Sequence, residues 1–344
     1  MAKTTQTSEY CALGHPDRVC DFIACRILDR HLERDPGARV ALEVQLKDRF
    51  CTVSGEISSR HPFTDRELGW LARDAIAEAG YNRAYQAEFG RENCIAADDV
   101  EVTLHIGRQS DDIAQGVDAD GWGDQGIFWG MAVDDPGCGN MPKDYHLARL
   151  LAQTLYSGGY GGIDVKTQVT VEDGEASSCI VAIPLLPGNE EAAKAEISLL
   201  AAQILGDGCE TSVNGTGRYV VHGPVGDCGT TGRKLAADFY GGNCRIGGGS
   251  PWGKDPSKAD VALNIYARRL ALDYMREKSL PAVYCSIASC IGKREISIAF
   301  RDGEMRLLET RSECAPASHT IERLGLRKPV YAGMCARGLF GFEP

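Results

Sequence analysis

The sequence predicts an α+β protein built from three similar α/β repeats with mixed or antiparallel sheets. Two observations support this fold class. The pattern helix, strand, strand, helix, strand recurs three times, with a period of roughly 100–120 residues. The two central strands of each cycle are joined by tight turns at residues 47–49, 173–174 and 292–293, and such turns connect antiparallel neighbours.

Chain length agrees with this organisation. The 344 residues are 43% hydrophobic, which is enough for several buried cores. We therefore expect three α+β domains: an N-terminal one over 1–112, a central one over 113–222, and a C-terminal one over 223–344 that contains a glycine-rich stretch.

The first cycle opens at His15-Pro16-Asp17, where Pro16 suits the first turn of a helix that Asp35-Pro36-Gly37 ends. Thr64 and Glu67 form a capping box for a second helix, which reaches Ala79. Three strands belong to this cycle, at 39–46, 50–57 and 100–106.

The later cycles follow the same order. The second contains helices at 142–156 and 190–205 and strands at 163–171, 178–185 and one ending at Val221. The third contains a helix at 257–277, strands at 283–291 and 295–300, and a short helix near 319–324.

Charge and composition exclude several classes of protein. The formal net charge is −11, which argues against general binding to nucleic acids or anionic membranes. No apolar run approaches the roughly 18 residues of a membrane span, and the N-terminus lacks the apolar core of a signal peptide. None of the 14 cysteines forms a Cys-x-x-Cys pair. Reduced, buried thiols in a cytoplasmic protein explain them better than zinc or disulfides.

The stretch Asn214–Asp260 differs from the rest of the chain. It contains 12 of the 40 glycines, and its six basic and four acidic residues give a charge of +2, which leaves −13 for everything else. Glycine allows the backbone to approach a ligand closely. The stretch therefore predicts a pocket for a small polyanion.

Within this stretch, Gly248-x-x-x-x-Gly253-Lys254 nearly matches a Walker A loop. Asp255 replaces the Ser or Thr that the motif requires, and no apolar strand precedes it. This argues against a P-loop NTPase, although glycine N–H groups and a lysine can still hold phosphate.

Other polar residues have two interpretations. Asp17 is either part of a helix cap or a carboxylate that holds Mg²⁺ against phosphate. Asp164, Lys166 and Gln168 share one face of the strand 163–171, which is either a solvated surface or part of a site. Glu43 faces away from an apolar stripe and is expected to be exposed for the same reason.

Five motifs together resemble the S-adenosylmethionine synthetase (methionine adenosyltransferase) family, and the match is scattered through nearly the whole chain. Two lie in the glycine-rich stretch: Gly-Pro-Val-Gly-Asp-Cys-Gly-Thr-Thr-Gly-Arg-Lys (223–234) and Gly-Gly-Gly-Ser-Pro-Trp-Gly-Lys-Asp-Pro-Ser-Lys-Ala-Asp (247–260). The others are Ile-Gly-Arg-Gln-Ser (106–110), Gly-Asp-Gln-Gly (123–126) and Asp-Val-Lys-Thr-Gln-Val-Thr (164–170). His15-Pro16-Asp17 also matches.

The resemblance implies that ATP and L-methionine give S-adenosylmethionine, with the triphosphate cleaved to phosphate and diphosphate. It assigns catalytic roles to His15, Lys166, Arg233, Lys254 and Lys258. It assigns ATP binding to His15, Asp164, Lys166, Arg218, Tyr219, Asp227, Arg233, Lys234, Ser250 and Lys254. It assigns methionine binding to Glu56, Gln109, Asp227 and Lys258. Asp17 and Asp260 would hold Mg²⁺, and Glu43 would support a K⁺ site.

The residue types suit this chemistry. Methionine sulfur is already nucleophilic, so the reaction needs alignment and stabilisation of the departing triphosphate rather than a general base. Several cations and Mg²⁺ around one polyanion supply that stabilisation. The resemblance also implies a homodimer, or a dimer of dimers, with sites shared between subunits, and a gate over the site in the loop 107–126.

The chain departs from the family pattern at several positions. Arg18 replaces the Lys of His-Pro-Asp-Lys, and Gly215 replaces the Pro of Asn-Pro-Thr-Gly. Ser250-Pro251-Trp252 replaces Ala-Phe-Ser/Thr, and Tyr219 replaces a Phe beside the adenine. The segment between Gln109 and Asp124 is short, and the C-terminus is trimmed. A non-catalytic, nucleotide-binding regulatory relative is the alternative, although the charged positions expected of the chemistry are all filled.

Overall fold

The structure is a computed structural model that describes residues 4–107 and 120–341. Within these ranges the chain forms three four-stranded sheets, each with helices packed on one face. Every repeat begins with a strand and a helix, followed by a β-hairpin.

The sequence pattern predicts five of the seven elements of the first repeat and misses its first strand and its third helix. Its elements are β1 (Thr5–Cys11), α1 (Pro16–Arg34), β2 (Arg39–Lys47), β3 (Phe50–Ser58), α2 (Asp65–Glu78), α3 (Arg83–Phe89) and β4 (Glu101–Gly107). The capping box is present: the hydroxyl of Thr64 accepts from the backbone N–H of Glu67, whose carboxylate accepts from the backbone N–H of Thr64.

The second repeat has the same order of elements. They are β5 (Gly126–Val133), α4 (Lys143–Gly158), β6 (Lys166–Glu172), β7 (Glu175–Ala182), α5 (Glu190–Leu205) and β8 (Glu210–Val213). The strand predicted to end at Val221 is wrong, because the described strand is β8 and Val221 lies outside it, exposed.

In the third repeat, a strand follows the hairpin directly, in place of the second helix that the other two repeats have at this point. It contains β9 (Gly229–Thr230), two single-turn helices α6 (Gly223–Gly226) and α7 (Leu235–Asp238), then α8 (Ala259–Lys278), β10 (Ala282–Ser289) and β11 (Glu295–Asp302). β12 (Leu307–Cys314) follows β11 as an antiparallel neighbour and was not predicted. Two short helices end the chain, α9 (Ala317–Arg323) and α10 (Tyr331–Arg337).

Each repeat contributes its first strand to the sheet of another repeat, so the three repeats are linked in a cycle. β1 pairs with β6 in the second repeat, β5 pairs with β10 in the third, and β9 pairs with β2 in the first. The sheet orders are therefore β4-β3-β2-β9, β1-β6-β7-β8 and β12-β11-β10-β5. The first two are mixed because β3/β4 and β7/β8 are parallel, and the third is antiparallel, as predicted for the fold class. The domain boundaries at 112 and 222 stay predictions.

Two cores hold the helices to the sheets. In β2, Val40, Leu42, Val44 and Leu46 are buried against α1, which is itself buried along most of its length. The alternate residues of β2, among them Glu43, form the open face of the first sheet. A separate core lies between α8 and the third sheet. No helix in the described ranges is long and apolar enough to cross a membrane.

Candidate active site

Two segments of the glycine-rich stretch pair with the same edge of β2. Thr230 lies opposite Gln45 at one end, and Lys254 forms a bridge with Ala41 towards the other. Ala41 and Gln45 are four residues apart along β2, which corresponds to about 13 Å of strand. Both segments depend on glycine. A side chain at Gly229 would lie 2.2 Å from the carbonyl oxygen of Pro16, and one at Gly253, where φ is +69°, would lie 2.6 Å from that of Leu42.

At the first point the fold assembles what we call the Asp17 cluster: His15, Asp17, Arg233 and Lys234. Asp17 is fully buried at the start of α1. One carboxylate oxygen accepts from the backbone N–H of Thr230 at 2.8 Å and lies 3.9 Å from Arg233. The other contacts the ammonium of Lys234 at 2.5 Å. Asp17 therefore holds two cations of the glycine-rich stretch, rather than capping its own helix.

His15 supplies the cap instead. Its Nδ1 accepts from the backbone N–H of Asp17 at 3.2 Å, so Nδ1 carries no proton and Nε2 remains a donor. Burial, reinforced by the nearby ammonium of Lys234, lowers the pKa of His15 well below its usual range. The imidazole is thus a neutral donor at physiological pH.

Lys166 lies at the edge of this cluster, at the start of β6. Its ammonium is 3.7 Å from the carboxylate of Glu9 on β1, and both side chains are exposed. Its field nevertheless lowers the pKa of His15, which places its charge near the Asp17 cluster. An exposed pair of this kind contributes little to stability, so Lys166 is available to a ligand.

At the second point lies what we call the Lys254 cluster: Lys254, Asp255, Lys258 and Asp260. The ammonium of Lys254 contacts Asp260 at 2.6 Å, and that of Lys258 contacts Asp255 at 2.8 Å. Asp255 is buried and also accepts from the backbone N–H groups of Val40 and Ser257, both at 2.9 Å. Both lysines are mostly covered, so neither is an exposed lysine at a helix start.

The open face of the first sheet extends from the Lys254 cluster. Glu56 lies opposite Ala41, the bridge partner of Lys254, and opposite Gly107 on its other side. Glu43 is two residues further along β2. Both carboxylates are exposed in one chain, as predicted for Glu43. Partial desolvation raises the pKa of Glu43, and Lys254 opposes that rise.

Asp164 differs from its prediction. It lies before β6 rather than on the strand's polar face with Lys166 and Gln168, and it is buried. One oxygen, Oδ2, accepts from both the hydroxyl of Tyr219 at 2.6 Å and the backbone N–H of Gly223 at 2.7 Å. Burial raises the pKa of Asp164 to about 6, against the effect of these two hydrogen bonds. This carboxylate joins the second repeat to the start of the motif at 223–234.

The remaining candidates are less fixed in one chain. Arg218 and Asp227 are exposed. Ser250 is half-buried, and its hydroxyl accepts from the backbone N–H of Trp252 at 3.2 Å. Gln109 lies outside the described residues, as does most of the predicted gate. Near the end of the predicted gate, Trp122 is fully buried and exchanges backbone hydrogen bonds with residues 292 and 293.

Sequence reasoning missed the buried charges behind the site. Arg18, Asp21, Asp238 and Asp255 are all buried. Asp238 and Asp255 lie in the glycine-rich stretch, where charged residues are ordinarily assigned to the surface, and Arg18 directly follows His15-Pro16-Asp17. The one signal present in the sequence was the spacing of Asp255 and Lys258, which suits an i,i+3 pair.

Comparisons with known proteins agree with one family throughout. The family model for the S-adenosylmethionine synthetase N-terminal domain matches residues 3–111, and that for the C-terminal domain matches residues 221–343. S-adenosylmethionine synthase 2 of Rhodospirillum rubrum is 34% identical, over 98% of this chain and 92% of its own length. The S-adenosylmethionine synthase of Helicobacter hepaticus is also 34% identical over the same shares.

A solved structure gives the same result. The chain superposes on a structure described as an unusual S-adenosylmethionine synthetase from Campylobacter jejuni with a TM-score of 0.86. The identity is 27%, and the match covers 98% of this chain and 94% of the other.

Proposed function

The chain belongs to the S-adenosylmethionine synthetase family and is a transferase that makes S-adenosylmethionine; we propose that it does so from ATP and L-methionine, releasing phosphate and diphosphate. The observation that carries this proposal is the pair of cationic clusters at one edge of β2. Each contains buried or half-buried lysines held by carboxylates. A leaving triphosphate needs such preorganised cations.

In the Asp17 cluster, Lys234, Arg233 and neutral His15 bind the triphosphate, with Lys166 beside them. Asp17 keeps Lys234 in place before ATP arrives. When the polyanion takes over the ammonium, a carboxylate oxygen of Asp17 becomes free for a metal ion.

In the Lys254 cluster, Lys254 binds triphosphate oxygens and Lys258 lies where sulfur, C5′ and the departing oxygen meet. Asp255 and Asp260 orient these ammonium groups without water between them. Negative charge grows on the leaving oxygen in the transition state, so a fixed cation there accelerates the chemical step.

The nucleoside and methionine are bound on either side of these clusters. Asp164 and Tyr219 form the nucleoside side, with Arg218 and Ser250 nearby. Glu56, Asp227 and Gln109 bind methionine, whose ammonium group suits a carboxylate. Glu56 lies next to Gly107, which leads directly into the segment that contains Gln109.

The residues fit Mg²⁺ and K⁺ in different ways. Within residues 4–107 and 120–341, no group of three or more His, Cys, Asp and Glu side chains could hold a metal by itself. Asp17 and Asp260 each offer one carboxylate, which matches the use of one or two carboxylates plus substrate phosphates by Mg²⁺. Glu43 makes no ion pair among the described residues and is available to K⁺. Bound Mg²⁺ would neutralise phosphate charge.

The arrangement favours a site shared between two copies of the chain. No hydrogen bond or ion pair among the described residues joins the Asp17 cluster to the Lys254 cluster, and the acidic row Glu43/Glu56 faces solvent in one chain. Two copies related by a two-fold axis would place the Asp17 cluster of one against the Lys254 cluster of the other. We infer a homodimer or a dimer of dimers, located in the cytoplasm.

Two measurements test this proposal. Incubation with ATP, Mg²⁺, K⁺ and methionine should give S-adenosylmethionine, phosphate and diphosphate by mass spectrometry and phosphate assay. ATP binding without product would instead support the regulatory alternative.

The second measurement tests sharing. Lys234→Ala and Lys258→Ala, each inactive alone, are mixed after unfolding and refolded together. Half of the dimers contain one copy of each, and each of those has one intact site, so about a quarter of the wild-type activity should return. A mixture as inactive as its parts would show that both clusters of a site come from one chain.

A further inference from the structure

Arg18 and Trp252, two of the departures from the family pattern, contact each other in the fold. The guanidinium carbon of Arg18 is 5.5 Å from the centroid of the Trp252 ring, and the ring of Tyr10 lies 5.7 Å away on another side. Both residues are 1% exposed. Two departures that are far apart in sequence are therefore one buried contact.

Asp238 joins them chemically. Its Oδ2 accepts from the indole Nε1–H of Trp252 at 2.8 Å, and its Oδ1 accepts from Nη1 of Arg18. The carboxylate is fully buried, and burial raises its pKa against the effect of Arg18. Each oxygen has its own donor, so the loss of either leaves a buried acceptor unsatisfied.

The contact reaches both clusters. On one side, Arg18 follows Asp17 in α1 and lies 3.5 Å from Asp21, whose other oxygen accepts from the backbone N–H of Gly232 at 2.8 Å. Gly232 directly precedes Arg233 and Lys234. On the other side, Trp252 precedes Gly253 and Lys254, the residues that pair with β2.

We propose that Arg18 and Trp252 are a coupled pair of positioning residues that hold the Asp17 and Lys254 clusters of one chain in fixed relation through Asp238. The proposal rests on the proposed function, because it concerns the same triphosphate-binding groups. The family pattern has Lys and Ser/Thr at these two positions. A lysine has neither a planar face for an indole nor a fork of donors for two carboxylates, and Ser or Thr has no indole N–H. The two departures are thus a matched substitution around one carboxylate.

The test is a double-mutant cycle with Arg18→Lys, Trp252→Phe and both together. Phe keeps an aromatic ring beside residue 18 and removes the N–H. The readouts are the Kd for inorganic triphosphate with Mg²⁺, by calorimetry, and kcat and KM for ATP. Each single variant should raise the Kd about tenfold, which corresponds to ~1.4 kcal/mol.

The double variant should raise the Kd by little more than either single variant, rather than about a hundredfold. Once one donor is lost, Asp238 can take up a proton or turn away, so the second donor has little left to hold. Effects that multiply would overturn the proposal, as would unchanged Kd values in both single variants.

Arg268→Lys is the matched control. Arg268 is also 1% exposed, and it donates to backbone carbonyls of Met131, Gly139 and Asn140 beside the third sheet. This variant should lower Tm and leave triphosphate affinity unchanged; a rise in Kd as large as that of Arg18→Lys would attribute the effect to lost stability and overturn the proposal. If Arg18→Lys does not fold, Asp238→Asn paired with Trp252→Phe gives the same cycle.

The two proposals fail in different ways. If wild-type protein does not bind triphosphate, or if Lys234→Ala binds it equally well, the proposed site is wrong and this inference falls with it. If binding depends on Lys234 while the Arg18 and Trp252 variants act independently, the proposed function stands and only the coupling is wrong.

Discussion

The cation clusters along the edge of the first sheet and the open face of that sheet are built differently. In the Asp17 and Lys254 clusters, cations are already paired with carboxylates. Two of these carboxylates, Asp17 and Asp255, are buried and also accept backbone N–H groups. On the open face, Glu43 and Glu56 are exposed and have no such partners among the described residues. Each cation cluster is therefore preorganised within its own chain, whereas the open face, where we propose that methionine binds, is completed by other elements.

The largest expected effect tests the preorganised half. Lys258→Ala should lower kcat by roughly 10²–10³, about 2.7–4 kcal/mol, because it removes a fixed cation whose partner charge grows in the transition state. It should also lower the free energy of unfolding by about 1–3 kcal/mol, since buried Asp255 loses its ammonium donor. Steady-state kinetics at saturating ATP and methionine, with thermal melts, measure both effects.

Lys278 provides the control. Its ammonium pairs with exposed Glu277 at the end of α8 and lies 5.8 Å from the centroid of the Tyr274 ring. Both contacts are at the surface and far from the clusters in sequence, so Lys278→Ala should leave kcat unchanged and lower Tm only slightly. A Lys258→Ala enzyme with near-normal kcat would mean that preorganisation at this position serves the fold alone.

The next-largest effect is expected on the open face of the first sheet, where we propose that methionine binds. Glu56→Gln should raise the KM for methionine about tenfold or more, with a smaller change in the KM for ATP, because a charge-assisted hydrogen bond to the substrate ammonium becomes a neutral one. Initial rates across methionine concentrations measure this. Glu101→Gln is matched, since Glu101 is also exposed on the first sheet, at its opposite end, and it should leave both KM values unchanged. Equal effects on ATP and methionine would place Glu56 outside the methionine site.

The smallest effect is expected at the buried carboxylate of Asp164. The pKa of Asp164 is about 6 in the folded protein, above its ordinary value of about 3.9. The folded state therefore binds the proton more tightly, and this group's contribution to stability is fully present below about pH 4 and lost as pH rises through 6. Asp164→Asn should remove that slope in denaturant titrations at pH 4 to 7.

Asp29 is a control because its two carboxylate oxygens share the hydrogen bonds that a single oxygen accepts in Asp164. Burial raises its pKa to about 6 as well, but its two oxygens each accept one backbone N–H, from Tyr331 and Ala332. Asn can replace Asp164, where one oxygen accepts both bonds, but it cannot replace Asp29 without facing an N–H with its own NH₂. Asp29→Asn should therefore destabilise at pH 7 by about 1–3 kcal/mol, and Asp164→Asn should not. Equal losses in both would refute this account.

The parts of the fold that sequence predicted are those whose signals are local. α1, the capping box before α2 and the hairpin β2/β3 follow from periodicity, caps and turns. Sequence reasoning misplaced β8 and missed the strands β1, β5, β9 and β12. Three of these are the exchanged strands, whose partners lie in another repeat, and β9 is only two residues long. The pairing of the three exchanged strands depends on residues far away in the sequence rather than on the strands' own residue pattern.

The site follows the same division. Motif matching identified the lysines and carboxylates that the structure brings together around Asp17 and Lys254. Strand alternation, in contrast, placed Asp164 within a strand that begins only at Lys166, because alternation alone does not show where a strand begins. It assigned no role to Arg18 or Trp252, because each is only a departure from a pattern until the fold brings the two into contact.

The cyclic exchange of first strands also sets the order in which the chain can fold. As the chain leaves the ribosome, β1 has no partner until β6 emerges, and the edge of β2 stays unprotected until residues 229–230 appear. Completion of the sheets therefore depends on contacts between residues that are far apart in the sequence. This slows folding and leaves open strand edges exposed to aggregation for longer. No repeat is a self-sufficient unit: the first sheet is complete only when two-thirds of the polypeptide has been synthesised.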